Sequence, residues 1–191
     1  MSVVTPRLTT LSYALLGLIG MEPRSGYALA QVFATTPIGD YSSSPGSLYP
    51  AIKVLEKQGL VEQRPAGKKK VFGLTATGAT TLDAWLAEPV TGEGTSKHLS
   101  AHLMRFAFLQ MHPDRRLTLT FLTDLASGLS AEAATLEAFL ASDLALAMPE
   151  QSRWAVRHGL MTCLASRDWA LGALAALEPT YAFPKLQETE S

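Results

Sequence analysis

Cysteine is nearly absent. The single Cys163 cannot close an internal disulfide or supply a multi-thiolate zinc or iron–sulfur site, so a reducing compartment is the default. Charge is scarce as well: it makes up 17% of 191 residues, and 16 Lys+Arg stand against 17 Asp+Glu. No global field drives such a chain onto nucleic acid, so any affinity for DNA must come from a local patch. Long apolar runs are also missing. Leu8 to Met21 carries no charge, but Thr9, Thr10, Ser12, Gly17 and Gly20 dilute it and no small-x-small cleavage site precedes Glu22. About 20 apolar residues would be needed to span a bilayer. This argues against a signal peptide or a membrane partner and for a soluble, cytoplasmic protein. Glycine and proline, 14 and 11, are too few for a collagen-like chain, and 47% hydrophobic residues exclude disorder.

What is present is helical periodicity with one interruption. Leu11, Ala14, Leu15, Leu18 and Ile19 recur at three- and four-residue steps, predicting a helix that stops near Gly20 and Pro23. Ser25 is positioned to cap a second helix running to Pro37 and Gly39. After a polar turn, Leu48, Ile52 and Leu55 form the apolar stripe of a third helix ending at Gly59. Leu60 to Arg64 and Lys69 to Leu74, separated by Pro65-Ala66-Gly67-Lys68, read as a β-hairpin, and Thr75 caps a fourth helix. The predicted fold class is mainly α with a small hairpin: a winged helix-turn-helix at 8–88, a linker at 89–96, a helical, coiled-coil-like dimerisation domain at 97–178 and a flexible tail at 179–191. The second module is expected to hold helices at 97–112, 116–147 and 150–177. The middle one would be ~45 Å long, more than its own core needs.

The charge map fits a DNA reader. From Tyr41 to Gly73 six basic residues face two acids, whereas from Val90 onward eight basic residues face eleven acids. Turning Leu48, Ile52 and Leu55 inward at 100° per residue puts Gly46, Pro50, Lys53 and Lys57 on the opposite side, with Ser47 and Tyr49 flanking. Ser47 and Tyr49 can donate hydrogen bonds to phosphate or base edges, and the lysines neutralise phosphate. Lys68, Lys69 and Lys70 add a basic hairpin tip. The helix start has two readings: Ser44 as cap leaves Pro50 breaking one backbone hydrogen bond, while Ser47 as cap puts Pro50 at the third position, where no such bond is lost.

The segments Leu11-Ser12-Tyr13-Ala14-Leu15-Leu16-Gly17-Leu18, Ser25-Gly26-Tyr27-Ala28-Leu29 and Ser44-Pro45-Gly46-Ser47-Leu48-Tyr49-Pro50, followed by Leu55-Glu56-Lys57-Gln58-Gly59-Leu60, resemble the PadR family of bacterial transcriptional regulators. Lys69 to Gly78 is similar to that family's wing and the helix start after it, except that Gly73 stands where a basic residue is common. More weakly, Arg105-Phe106 with Phe108, the Leu117 to Phe139 helix, and Arg157-His158-Gly159-Leu160 with Asp168-Trp169 resemble the all-helical C-terminal region of longer members. The resemblance implies a homodimeric regulator of double-stranded DNA, a repressor in the simplest case, with a two-fold operator. The implied DNA-binding set is Ser44, Gly46, Ser47, Tyr49, Pro50, Lys53, Lys57, Lys68, Lys69 and Lys70. The expected dimer seam is Phe121, Leu125, Leu129, Leu136, Leu140, Leu144, Leu160, Leu164 and Leu171. Members that sense phenolic acids or drugs suggest a small aromatic ligand, for which Phe106, Trp154 and Trp169 are the candidate pocket.

Two rivals remain. A winged-helix interaction module would bind DNA weakly and without sequence preference. A metal-dependent hydrolase would use His98, His102 and Asp114, since His98 and His102 stand four apart, but Leu99 occupies the position where a zincin carries glutamate. The expectation is therefore no enzyme activity, no catalytic residue, no metal and no cofactor.

Overall fold

The computed structural model describes residues 8–36, 38, 45–67, 69–91 and 94–181. Its first helix, α1 (Thr10–Met21), is capped by Thr9, whose hydroxyl accepts from Ser12 N, and it buries Leu15, Leu16 and Ile19 almost completely. The second, α2 (Gly26–Thr35), is capped by Ser25, which accepts from Ala28 N. A 3-10 turn (Pro45–Ser47) leads into α3 (Leu48–Lys57). Ser47 holds the cap position without a side-chain capping bond, so Pro50 falls in the first turn, where its missing N–H has no helical partner to lose. Ser44, the other cap considered, lies outside the described residues.

The hairpin pairs β1 (Val61–Ala66) with β2 (Lys69–Leu74) in register from Val61↔Leu74 to Ala66↔Lys69. Pro65 and Ala66 therefore belong to the strand rather than to the turn, a correction to the sequence expectation. Pro65 is tolerated because a two-stranded ribbon has an open edge for a residue that cannot donate. The turn narrows to two residues opening with Gly67 at φ 60°, a conformation that glycine adopts without strain. Helix α4 (Ala76–Leu86) follows, capped by Thr75, which accepts from Gly78 N. Gly78 is required there, since a Cβ would lie 1.9 Å from the carbonyl oxygen of Leu60.

Beyond a second 3-10 turn (Ser96–His98) come α5 (Leu99–Leu109), α6 (Arg116–Leu140), α7 (Asp143–Leu146) and α8 (Glu150–Tyr181). The long middle helix expected at 116–147 is broken. Ser142 takes an extended conformation and accepts from Ala145 N, starting α7, so Leu144 does not continue the stripe of α6. The last helix carries Pro179 within it and reaches Tyr181, so 179–181 are helical rather than tail; 182–191 lie outside the described residues.

The chain divides into two compact units, one of residues 1–88 with 103–112, the other of 89–102 with 113–191. The sequence boundary near 89 thus misses the return of 103–112 to the first unit. That return has a packing cause. Phe108 fills the space over Gly17 of α1, Met111 reaches Gly20, and buried Arg105 donates to the carbonyl of Trp85 at 3.5 Å. A guanidinium at the last turn of α4 meets the negative end of that helix's dipole. Trp85 in turn stacks on Tyr13, with ring centroids 4.5 Å apart. Completing this core against α1 and α4 takes apolar side chains from α5 that 8–88 does not contain.

In the second unit α6 packs along α8. Phe121, Leu125 and Leu129 are buried within it, as are Cys163 and Ala170 on α8. The long helix therefore has a partner in its own chain, contrary to the expectation that it needs a second copy.

Candidate nucleic-acid interface

Helix α3 presents two faces. Leu48, Ile52 and Leu55 are buried, while Tyr49, Pro50, Lys53 and Lys57 are exposed on the other side together with Gly46 of the preceding turn. Ser47 is half-buried. Tyr49, 54% exposed, sits at the second helical position, and Lys57 lies in the last turn, where a cation also complements the helix C-terminus. Val54 is exposed on the same helix, an apolar neighbour that the sequence reading passed over.

The outward face of α3 meets the hairpin through α2. Gly26, the first residue of α2, would place a Cβ 2.9 Å from Cε1 of Tyr49 and 3.8 Å from Cε2 of Phe72. The ring of Tyr49 thus rests on the start of α2 and approaches β2. A backbone bridge locks the same junction: Arg24 N donates to Phe72 O at 3.1 Å, and Phe72 N donates to Arg24 O at 2.8 Å. Sequence periodicity could not find this one-residue third strand, because a single bridge leaves no alternation to detect. Tyr27, 75% exposed at the second position of α2, lies one residue from the contact. It is a functional candidate that reasoning on α3 alone missed, and its position in the Ser-Gly-Tyr segment was the available signal.

On the hairpin, Lys69 and Lys70 are exposed, and Lys68 lies outside the described residues. Arg64 behaves differently. Its guanidinium lies across Gly73, donates to the carbonyl of Leu74 at 2.8 Å and pairs with Glu62 at 2.9 Å. A Cβ at 73 would lie 3.0 Å from this guanidinium, so a side chain there would displace Arg64 slightly. It also lowers the free positive charge, because Arg64 and Glu62 largely cancel. Among the described residues, the cations presented outward by α3 and the hairpin are then Lys53, Lys57, Lys69 and Lys70. Against them on these elements stands Glu56, half-buried on α3.

The remaining candidates are dispersed. His102 sets its ring edge-on to Phe121 at 6.3 Å, His98 ends the 3-10 turn and is exposed, and Asp114 accepts from Arg116 N at 3.0 Å at the start of α6. Among the described residues no three His, Cys, Asp or Glu side chains come together as metal ligands. Trp154 and Trp169 lie fifteen residues apart on α8, about 22 Å along its axis, so they cannot line one pocket in one chain. On that distance a pocket holding both tryptophans is withdrawn; Phe106 belongs to the first unit. Of the expected seam, Phe121, Leu125 and Leu129 are consumed by the intrachain core. Leu136, Leu140, Leu160 and Leu164 are half-buried, and Leu144 and Leu171 are 68% and 48% exposed.

Comparison with known proteins finds a match over part of the chain. Residues 15–84 match the Transcriptional regulator PadR-like family. The Transcriptional regulator YqjI of Escherichia coli K12 is 32% identical over 74 residues, covering 38% of this chain and 36% of that protein, so the match spans about a third of the curated relative. Among solved structures, Bacillus subtilis PadR in complex with operator DNA is 22% identical, with 89% of this chain and 99% of that chain covered and a TM-score of 0.38. The Vibrio cholerae virulence activator AphA is 20% identical, with 88% and 98% covered and a TM-score of 0.35.

Proposed function

We propose that this chain, whose residues 15–84 match a family of PadR-like transcriptional regulators, binds double-stranded DNA sequence-specifically as a homodimer in the cytoplasm and acts as a repressor. The observation that carries the reading is the junction at Gly26, where the exposed face of α3 and the lysine-bearing hairpin are joined through the start of α2. A recognition helix reads base edges with its N-terminal residues while the flanking parts neutralise phosphate. Gly46, Ser47, Tyr49 and Pro50 occupy the reading end of α3; Lys53, Lys57, Lys69 and Lys70 are the phosphate partners. Ser44 and Lys68 join the same set from the sequence pattern. A bound dimer blocks a promoter with no further part, which makes repression the simplest outcome.

The dimer is supported by α8. It exposes Trp154, Met161, Trp169 and Leu171, and Leu144 on α7 is exposed too. The helix contains an apolar stretch long enough to cross a membrane by length and composition, only 11% of it buried within the chain. A second copy is the occupant that fits, because the bidentate pair of Arg167 with Asp168 lies near the middle of the helix, where charge is costly in lipid. A two-fold dimer would bring two copies of α3 to one duplex.

Selection of bound fragments from a random DNA pool tests the proposal. The expected result is a two-fold motif with half-sites spaced by about one helical turn. Equal retention of all sequences would favour an interaction module that keeps only the winged shape. Sedimentation should give a dimer that Met161→Glu with Trp169→Glu converts to monomer. Co-sedimentation with lipid vesicles in place of dimerisation would reject the second copy as the occupant.

A further inference from the structure

One stripe of α8 changes in bulk and charge from end to end. Counting about 100° per residue from buried Cys163, the positions Trp154, His158, Met161, Ala165, Asp168 and Gly172 all fall within about 40° of the opposite side of the helix. All six are exposed. The N-terminal half of the stripe is bulky, with Trp154 and Met161 56% and 65% exposed, and the C-terminal half carries Ala165 and Gly172. A Cβ at Gly172 would meet nothing within 4 Å, so there is open space beside the helix at that level.

The six positions are also equidistant in pairs from residue 163, and a two-fold axis at that level brings each onto its counterpart in a second copy. Antiparallel pairing then sets Trp154 over Gly172 of the other copy, Met161 beside Ala165, and His158 level with Asp168. Arg157, whose guanidinium stacks on Trp154 at 5.0 Å, lies one residue from the same carboxylate. Large side chains meet small ones, and donors meet an acceptor. A parallel pair does the reverse: Asp168 faces Asp168, and Gly172 faces Gly172 across a gap. Moving one antiparallel copy by seven residues keeps the stripes facing but sets Asp168 opposite Ala165 or Gln151, away from His158 and Arg157. Charge inside the stripe also argues against lipid as its cover.

We propose that two copies of α8 pair antiparallel about position 163, each Trp154 seated over Gly172 of the other copy and each Asp168 facing His158 and Arg157 of the other copy. This rests on the homodimer reading and fixes its register. Gly172→Leu in the full chain tests it. The variant should fold, because leucine has open space there and is the better helix former. In the dimer it fills the seat of Trp154 twice, so the dissociation constant read by sedimentation should rise about thirtyfold or more. Adding Trp154→Ala should tighten the dimer again, whereas in any other register it only removes more apolar surface. Cross-linking gives a second measurement. Differently tagged His158→Cys and Asp168→Cys chains, mixed and treated with a short bismaleimide, should form a mixed cross-linked dimer. Neither chain alone should do so, because its two cysteines would stand about 15 Å apart along the axis. The parent chain, with Cys163 buried, is the background control. A monomeric parent overturns the homodimer reading and the register together. With a dimeric parent the homodimer stands, and the register is overturned by an unweakened Gly172→Leu dimer, by no rescue from Trp154→Ala, or by a single-cysteine chain cross-linking to itself as readily as the mixture.

Discussion

Removing Lys69 and Lys70 together should make the salt slope of DNA binding shallower by about 3.6. Four exposed lysines stand on α3 and the described part of the hairpin, so a dimer offers eight. Each phosphate neutralised contributes about −0.9 to the slope of log affinity against log salt, which gives a parent slope near −7 and a loss of ~10⁴-fold between 50 and 200 mM. Lys69→Ala with Lys70→Ala leaves half of these cations, for a slope near −3.6 and a loss of ~10²-fold over the same range. Lys68 contributes equally to parent and variant and leaves the difference intact. Arg64→Ala is the control: its guanidinium is already engaged by Glu62 and the carbonyl of Leu74, so the slope should stay where it was. Fluorescence anisotropy on a selected two-fold fragment, read across a salt series, measures all three. An unchanged slope in the double variant, or a fall for Arg64→Ala matching that of a lysine, would refute the assignment of phosphate contacts to the hairpin tip.

Gly26→Ala places a methyl against the Tyr49 ring at a helical position that otherwise favours alanine by up to ~1 kcal/mol. Thermal stability should hold while affinity for the selected sequence falls about tenfold, or ~1.4 kcal/mol, more than affinity for random DNA; equal losses would remove Tyr49 from the sequence readers. Gly78→Ala should cost about 3 kcal/mol by denaturant titration, because the obstacle is the backbone carbonyl of Leu60 rather than a side chain that can swing away. Cys163 is buried, and its thiol pKa is raised by that burial and by the negative Glu132 beside it, so iodoacetamide should label it slowly in the native chain and rapidly after unfolding. Because the Glu132 pKa is lowered on folding, its contribution is fully present above the ordinary carboxylate pKa and is lost as pH falls through the native value. Melting curves from pH 7 to pH 3 should therefore show an acid-side loss that is smaller in Glu132→Gln.

Much of the first unit was legible in the sequence because its signals are local. Caps at Thr9, Ser25 and Thr75, the stripe of Leu48, Ile52 and Leu55, and the β-branched runs around Gly67 each act within a few residues, and the elements form where they were expected. The lysines of α3 and the hairpin follow from the same arithmetic of helical angle and charge. The parts that could not be read depend on partners distant in the chain. Leucines at heptad spacing look the same whether they await a second copy or another helix of their own chain, and only packing showed that α6 lies along α8 with Phe121, Leu125 and Leu129 buried. Whether Arg64 is free charge or a strut over Gly73 depends on strand register, and whether Tyr49 stands alone or leans on Gly26 depends on how α2 meets α3. The sequence thus determined the elements, their caps and which face of each is apolar, since these follow from a residue and its near neighbours. Tertiary structure decided which apolar faces are already covered and which charges are already paired, since both depend on side chains brought close only after the chain has folded.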